Sequence, residues 1–221
     1  MASFFSRGGS LDRPLSQFFC TFNLLVVFGK NGEGSLIGNL KQVCQGLIFH
    51  INPFPQWTER IHLTDHLFRE LTRHGFSPSE EIPRLFLSEK DKDWGKSFCR
   101  VKGLTEQERS KAIVIHPGSG SKKKVWPLEQ FLEVTHYFQR HSNSRILIVL
   151  GPAEGPEVQK AFGGMEWESG STAPLLVKGL SLLELASVMK GCRLFIGNDS
   201  GITHMAAALG LPTIAIFGPS D

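Results

Sequence analysis

From residue 111 onward, short apolar runs alternate with longer amphipathic stretches. Apolar runs without polar interruptions are typical of strands that are buried on both faces of a parallel sheet. They predict strands at 112–116, 145–150, 174–177, 193–197 and 213–217. The stretches between them predict helices at 127–141, 156–162, 182–190 and 202–209. Ser181 and Glu184 have capping-box spacing, and Pro127 suits a first helical turn. This alternation predicts an α/β fold with a parallel sheet and helices on both faces.

The pattern before residue 111 is less regular. Apolar runs predict strands at 22–28 and 46–52, and the spacing of apolar residues in 59–74 predicts an amphipathic helix that ends at Gly75. Residues 1–21 show no clear period, and 80–102 mix charge, proline and isolated apolar residues. We therefore interpret 80–102 as a passage between two domains, at 1–103 and 104–221.

Composition narrows the class of protein only modestly. The 221 residues are 41% hydrophobic and 20% charged, as in an ordinary globular protein. A net charge of +3 suits an anionic small molecule or a membrane surface and is too small to argue for nucleic acid. The cysteines are scattered without zinc or redox spacing, so reduced thiols in a cytoplasmic protein are expected. The apolar stretch 18–29 lacks a small-residue cleavage site and is interpreted as a strand rather than a signal peptide.

A polar or glycine-bearing turn follows each predicted strand after residue 111. These turns read PGSGSKKK, GPAE, KGLS, NDSG and GPSD. Because ligands of open parallel sheets bind beyond the carboxyl ends of the strands, the turns predict a polar crevice. Ser119, Lys124 and backbone amides suit phosphates there, and Glu154 suits ribose hydroxyls. The chain has neither the paired-glycine dinucleotide fingerprint nor a Walker lysine, which disfavours dehydrogenases and nucleoside triphosphatases.

The most informative stretch is 193–221, RLFIGNDSGITHMAAALGLPTIAIFGPSD. Asp199 and Ser200 stand where a helix N-cap belongs, and Gly201 permits a tight turn beside them. A helix N-terminus with unpaired amides favours phosphate, and His204 lies four residues after Ser200 on the same helical face. The alternative is a capped helix with a buried histidine and no ligand.

Two segments carry a family resemblance. Residues 111–221 resemble the donor-binding half of family 9 glycosyltransferases, the lipopolysaccharide heptosyltransferases. The resemblance is carried by HPGSGSKKKVWP and by LSLLELASVMKGCRLFIGNDSGITHMAAALGLPTIAIFGPSD. Residues 22–76 resemble more weakly the later part of the family's acceptor domain. The resemblance implies a GT-B arrangement of two Rossmann-like domains. It also implies inverting transfer from an ADP-activated heptose to a lipopolysaccharide core, without metal or other cofactor, in the cytoplasm and in peripheral contact with the inner membrane.

The resemblance further implies a set of donor-binding residues. Ser119 and Gly120 fall in the pyrophosphate loop, and an ammonium at Lys124 would stabilise the leaving nucleoside diphosphate. Glu154 would contact the ribose, and Leu180 would border the adenine. The motif that grips the sugar and diphosphate comprises Asp199, Ser200, Gly201 and His204.

Simpler roles compete for several of these positions. Glu157 rivals Glu154 for the ribose, and both glutamates suit a solvated surface. The run Lys122–Lys124 would otherwise be read as a solvated charge cluster, and Leu180 as a core residue. Trp126 and His116 are expected to be structural.

The catalytic base is not identified. The resemblance implies an aspartate in a glycine-containing loop after the first acceptor-domain strand, and the segment RGGSLD, which ends at Asp12, echoes that loop only faintly. The chain also stops at Asp221, where the family continues, so we expect a sequence truncated at both ends. The main alternative is therefore a remnant that binds nucleotide without catalysis. A hydrolase using Ser200 and His204 is disfavoured because neighbours on one helical turn seldom align as nucleophile and base.

Overall fold

The computed structural model describes residues 9, 12–30, 34–77, 82–151, 154–164 and 173–218. The chain forms two compact units, unit 1 at Met1–Glu81 and unit 2 at Ile82–Asp221. The described helices include none that is long and apolar enough to cross a membrane.

Unit 1 contains a two-stranded parallel sheet and three helices among its described residues. In chain order its elements are α1 (Arg13–Phe19), β1 (Leu24–Phe28), α2 (Ser35–Val43), β2 (Leu47–Ile51) and α3 (Leu63–Arg73). Leu24 of β1 pairs with Leu47 of β2. Leu40 of α2 is buried under the sheet, and partly buried apolar side chains of α1 and both strands pack against it.

Two helices of unit 1 are absent from the sequence-based prediction. Residues 13–19 were expected to lack regular structure, but Asp12 caps α1 by accepting a hydrogen bond from the Leu15 amide at 3.0 Å, and a proline occupies the first turn. Helix α2 follows its N-cap Gly34, whose φ of 72° lies in the left-handed region that favours glycine. Both helices are too short to show a clear period. The predicted helix at 59–74 begins only at Leu63, with His62 as its N-cap.

Unit 2 contains a five-stranded parallel sheet in the order β5-β4-β3-β6-β7. Its strands are β3 (Ile113–His116), β4 (Ile146–Leu150), β5 (Leu175–Lys178), β6 (Leu194–Asn198) and β7 (Thr213–Ile216). Its helices are α4 (Glu89–Val101), α5 (Glu106–Ser110), α6 (Leu128–His141), α7 (Pro156–Gly163), α8 (Leu182–Met189) and α9 (Gly201–Ala208). Buried apolar side chains form two separate clusters that include alternate residues of β3, such as Val114 in one and Ile115 in the other.

The strands and helices predicted after residue 111 are all present, with small shifts at their ends. The Ser181–Glu184 capping box is confirmed at the start of α8. Pro127 is the N-cap of α6 rather than a residue of its first turn, because its ψ of 138° is extended and Leu128 is the first helical residue. The α/β class and the parallel sheet are as expected.

Helix α4 lies in the stretch that was interpreted as a passage between domains. Ser88 and Asp91 form a capping box at its start. The helix packs closely on α8, because a Cβ added to Gly95 would overlap the Ser187 carbonyl oxygen. The two units consequently divide between Glu81 and Ile82, earlier in the chain than the predicted boundary at 103/104.

The four cysteines are free thiols, and three of them are buried. Burial raises the pKa of Cys192 to about 12 and also raises the pKa of Cys99. These two thiols are therefore protonated near neutral pH and behave as small apolar side chains.

Candidate functional site

Asn198 organises the loops where the central strands β3 and β6 end. Its side chain is fully buried. The Nδ2 group donates to the Pro117 carbonyl at 2.7 Å, and Oδ1 accepts from the Trp126 amide at 2.9 Å. A single amide side chain thus ties both ends of the loop after β3 to the end of β6. The sequence pattern did not indicate this role.

Lys124, Asp199 and His204 meet at this edge of the sheet. Lys124 Nζ lies 2.6 Å from Asp199 Oδ2, and His204 Nε2 lies 3.4 Å from Asp199 Oδ1. The Ser119 hydroxyl donates to the Asp199 carbonyl at 3.0 Å. Residues that the sequence predicted to act together, although far apart along the chain, are therefore neighbours.

The Asp199 carboxylate is held by its two basic neighbours. The hydrogen bond from Lys124 is the main cause of a lowered pKa at Asp199, and the charge of His204 contributes less. The side chain of Asp199 is 16% exposed, whereas that of His204 is 73% exposed. Asp199 therefore stays ionised and fixes Lys124 in place, while His204 faces the opening.

The N-terminus of α9 lies beside these three side chains. Ser200 is its N-cap, and the Ser200 hydroxyl accepts from the Thr203 amide at 3.4 Å. The amides of Gly201 and Ile202 lie in the first turn of α9, where backbone N–H groups have no acceptor within the helix. They therefore carry the partial positive charge of the helix N-terminus. A cavity of about 290 Å³ opens here, lined by Ser119, Gly120, Ser121, Lys124, Asp199, Ser200, Gly201 and His204. Its amides, hydroxyls and ammonium group suit phosphate oxygens.

A second cavity, of about 430 Å³, shares Ser119, Gly120, Ser200 and Gly201 with the first. Its remaining lining consists of Leu85, His116, Gly151, Glu154, Leu182, Ile202 and Met205. The two cavities therefore form one cleft, polar at the end near Lys124 and largely apolar at the other. A nucleoside diphosphate has the same polarity, with charged phosphates at one end and a flat base at the other.

Glu154 faces this cleft and Glu157 does not line it. A Glu154 carboxylate oxygen accepts a hydrogen bond from the Gly151 amide. The Glu157 carboxylate instead turns back to Gly155, where an added Cβ would overlap Glu157 Oε2. This placement favours Glu154 over Glu157 as the ribose contact, which stays a prediction.

Leu180 does not line the cleft. It follows β5, is partly buried and packs against the apolar core. Leu182, two residues later, lines the cleft instead. The predicted contact between Leu180 and the adenine would therefore be made by the backbone of Leu180 and not by its side chain.

Trp126 and His116, which were expected to have structural roles, both contact the surrounding protein. Trp126 is partly buried against Phe131, with ring centroids 5.1 Å apart. His116 is buried and donates from Nδ1 to the Val149 carbonyl at 3.0 Å. The ring of His116 also forms part of the cleft wall, a position that the sequence did not indicate.

The geometry disfavours the hydrolase alternative. The Ser200 hydroxyl is hydrogen-bonded to the Thr203 hydroxyl at 3.1 Å, and His204 Nε2 faces Asp199 rather than Ser200. The two side chains are therefore not arranged as nucleophile and base.

Within the described part of the chain, no group of three or more His, Cys, Asp or Glu side chains could hold a metal ion.

Gly118 is required for the position of Glu154. A Cβ at Gly118 would overlap Glu154 Oε1. With ADP as the probe, the nucleotide that the sequence resemblance implies, we expect Gly118→Ala to displace the Glu154 carboxylate and to weaken binding about tenfold, the loss of one charge-assisted hydrogen bond. Isothermal titration calorimetry measures this change. Gly163→Ala is the matched control, because nothing lies within 4 Å of a Cβ at Gly163. Equal ADP affinity in the two variants would contradict the positioning of Glu154 by Gly118.

The parallel sheet of unit 2, with its cleft at the carboxyl ends of the strands, defines a Rossmann-like α/β domain. The family model described as glycosyltransferase family 9 (heptosyltransferase) matches residues 52–221. The chain belongs to this family.

Curated relatives match part of the chain. Lipopolysaccharide heptosyltransferase 1 of Campylobacter coli is 33% identical over 115 residues, which cover 50% of this chain and 32% of the relative. Lipopolysaccharide heptosyltransferase 2 of Escherichia coli K12 is 26% identical over 141 residues, or 63% of this chain and 38% of the relative. These matches span about a third of the relatives' own length.

Solved structures share the fold over 95% of this chain. A family 9 glycosyl transferase from Veillonella parvula has a TM-score of 0.73 at 24% identity, with 61% of its chain covered. E. coli ADP-heptose lipopolysaccharide heptosyltransferase II has a TM-score of 0.70 at 18% identity, with 67% covered. E. coli heptosyltransferase WaaC, solved with ADP, has a TM-score of 0.64 at 16% identity, with 65% covered.

Proposed function

We propose that unit 2 binds an ADP-activated heptose, and that the protein transfers this sugar to a lipopolysaccharide core acceptor with inversion at the anomeric carbon. The observation that carries this proposal is the cleft in which Lys124, Asp199 and His204 surround the N-terminus of α9 beside an apolar cavity. Membership of the heptosyltransferase family supports the choice of donor, as does the ADP bound to the WaaC relative.

The cleft offers each part of such a donor a chemically suitable surface. The diphosphate would lie between Lys124 and the first amides of α9, near Ser119 and Gly120. The ribose hydroxyls would reach the Glu154 carboxylate, which the Gly151 amide holds in place. The base would occupy the apolar end of the cleft. Asp199 and His204 would face the sugar, because both line the polar end.

The proposed reaction is a displacement at the anomeric carbon. An acceptor hydroxyl attacks this carbon, the bond to the diphosphate oxygen breaks, and the nucleoside diphosphate leaves with the electron pair. Negative charge then grows on the phosphate oxygens, where Lys124 and the partial positive charge of α9 stabilise it. Because protein groups supply this stabilisation, we propose that the transfer needs no metal.

The base that takes the acceptor proton is not assigned. Asp12 was considered from the sequence, but its carboxylate is engaged as the N-cap of α1. The rest of the RGGSLD segment lies outside the described residues, apart from Gly9. The engagement of the Asp12 carboxylate as this N-cap supports a second candidate function, a nucleotide-binding chain without turnover. For either function we propose a cytoplasmic location with peripheral contact to the inner membrane, in line with the net charge of +3.

Transfer and binding are tested separately. The protein is incubated with ADP-heptose and a heptose-deficient core lipopolysaccharide, and both ADP release and the acceptor mass are measured. A gain of one heptose on the acceptor, with equal release of ADP, supports the transferase. ADP binding without any gain in acceptor mass supports the non-catalytic candidate. Absence of ADP binding contradicts both.

A further inference from the structure

Residues 82–88 have no regular secondary structure and lead into α4. The Leu85 amide donates to the Ala208 carbonyl at 2.8 Å, which attaches the segment to the end of α9. The side chains of three consecutive residues in the segment have different surroundings. Leu85 lines the cleft and Leu87 packs against the apolar core, whereas Phe86 between them is 87% exposed.

Leu85 lies at the apolar end of the cleft. The other apolar side chains of that lining are Leu182 from α8 and Ile202 and Met205 from α9. Leu85 is 45% exposed, although it borders a concave surface. A flat apolar ligand that covers a half-exposed apolar side chain at such a position removes apolar surface from water, and this burial favours binding.

We propose that Leu85 contributes to nucleotide binding by packing against the nucleobase, so that the segment 82–88 forms one wall of the donor site. This inference rests on the proposed function, because it needs a nucleotide in the cleft. It adds a residue from outside the strand-end turns to the determinants of donor affinity. The phosphate end of the cleft is built from other elements, so Leu85 affects the base and not the diphosphate.

The test compares two probes that share the diphosphate and differ in the nucleoside. ADP fills both ends of the cleft, and inorganic pyrophosphate fills only the polar end. Affinity for ADP is measured by isothermal titration calorimetry, and affinity for pyrophosphate by its competition with ADP. The variants are Leu85→Ala, Leu85→Met and, as the matched control, Phe86→Ala at the neighbouring exposed side chain.

We expect Leu85→Ala to weaken ADP binding about fivefold, as befits the loss of a partly buried aliphatic side chain. Pyrophosphate affinity should not change. Leu85→Met should restore most of the ADP affinity because it keeps the apolar volume, and Phe86→Ala should match the wild type with both probes.

Two results would overturn the role of Leu85 alone. The first is unchanged ADP affinity in Leu85→Ala, and the second is an equal loss of ADP and pyrophosphate affinity, which would indicate a general disturbance of the cleft. A wild-type protein that binds neither probe would instead overturn the proposed function, and this inference with it.

Discussion

Lys124→Ala is expected to weaken ADP binding by about tenfold to a hundredfold. The Lys124 ammonium lies in the polar end of the cleft, where Asp199 fixes it at 2.6 Å. A hydrogen bond to a charged group contributes about 1.5–3 kcal/mol, which corresponds to this range of affinities. Isothermal titration with ADP measures the loss directly.

The neighbouring lysine provides the control for this prediction. Lys123 carries the same charge but is exposed and does not line the cleft. Lys123→Ala should therefore bind ADP nearly as well as the wild type. The unfolding temperature without ADP should change little in Lys124→Ala, because a partly exposed ion pair contributes about 1 kcal/mol or less. If the two alanine variants bind ADP equally, Lys124 does not hold the phosphates.

Asn198→Ala is expected to lower the free energy of unfolding by about 3–5 kcal/mol. The substitution leaves the Trp126 amide and the Pro117 carbonyl without their partner at the end of β6. Each unsatisfied buried polar group costs about 1–3 kcal/mol, and the removed side chain adds a small cavity. Urea denaturation followed by circular dichroism measures the difference.

A second variant separates the two hydrogen bonds of Asn198. Asn198→Asp keeps an acceptor for the Trp126 amide and loses the donor to Pro117, so it should also destabilise the protein. Asn143→Ala, at an exposed asparagine, should leave the free energy of unfolding within about 0.5 kcal/mol of the wild type. A loss below about 1 kcal/mol in Asn198→Ala would contradict the role of Asn198 in holding the loop after β3.

The sheet of unit 2 was predictable because its strands are buried on both faces. Continuous apolar runs such as the one in β4, whose residues are all buried, are easily recognised in a sequence. Helix α4 was missed for the opposite reason. Charged residues fill much of its surface, and its close contact with α8 depends on Gly95, which has low helix propensity. The capping box at Ser88 was the available signal.

The polar end of the cleft was also predictable, because parallel strands bring their carboxyl-end turns to one edge. Lys124 and Asp199 follow different strands and meet there. The contribution of Asn198 could not be read in the same way, since its partners are set by tertiary structure and not by local spacing. Leu85 lies before α4, in a segment without periodic pattern, and only the contact with Ala208 reveals its place beside α9.

Thermal unfolding of the wild-type protein at increasing ADP concentration tests the central claim most directly. A ligand that binds only the folded state stabilises it by about 2.7 kcal/mol at a concentration one hundred times its Kd. The expected result is an unfolding temperature that rises steadily with ADP and does so far less in Lys124→Ala. An unfolding temperature unmoved by millimolar ADP would show that the cleft does not bind the nucleotide.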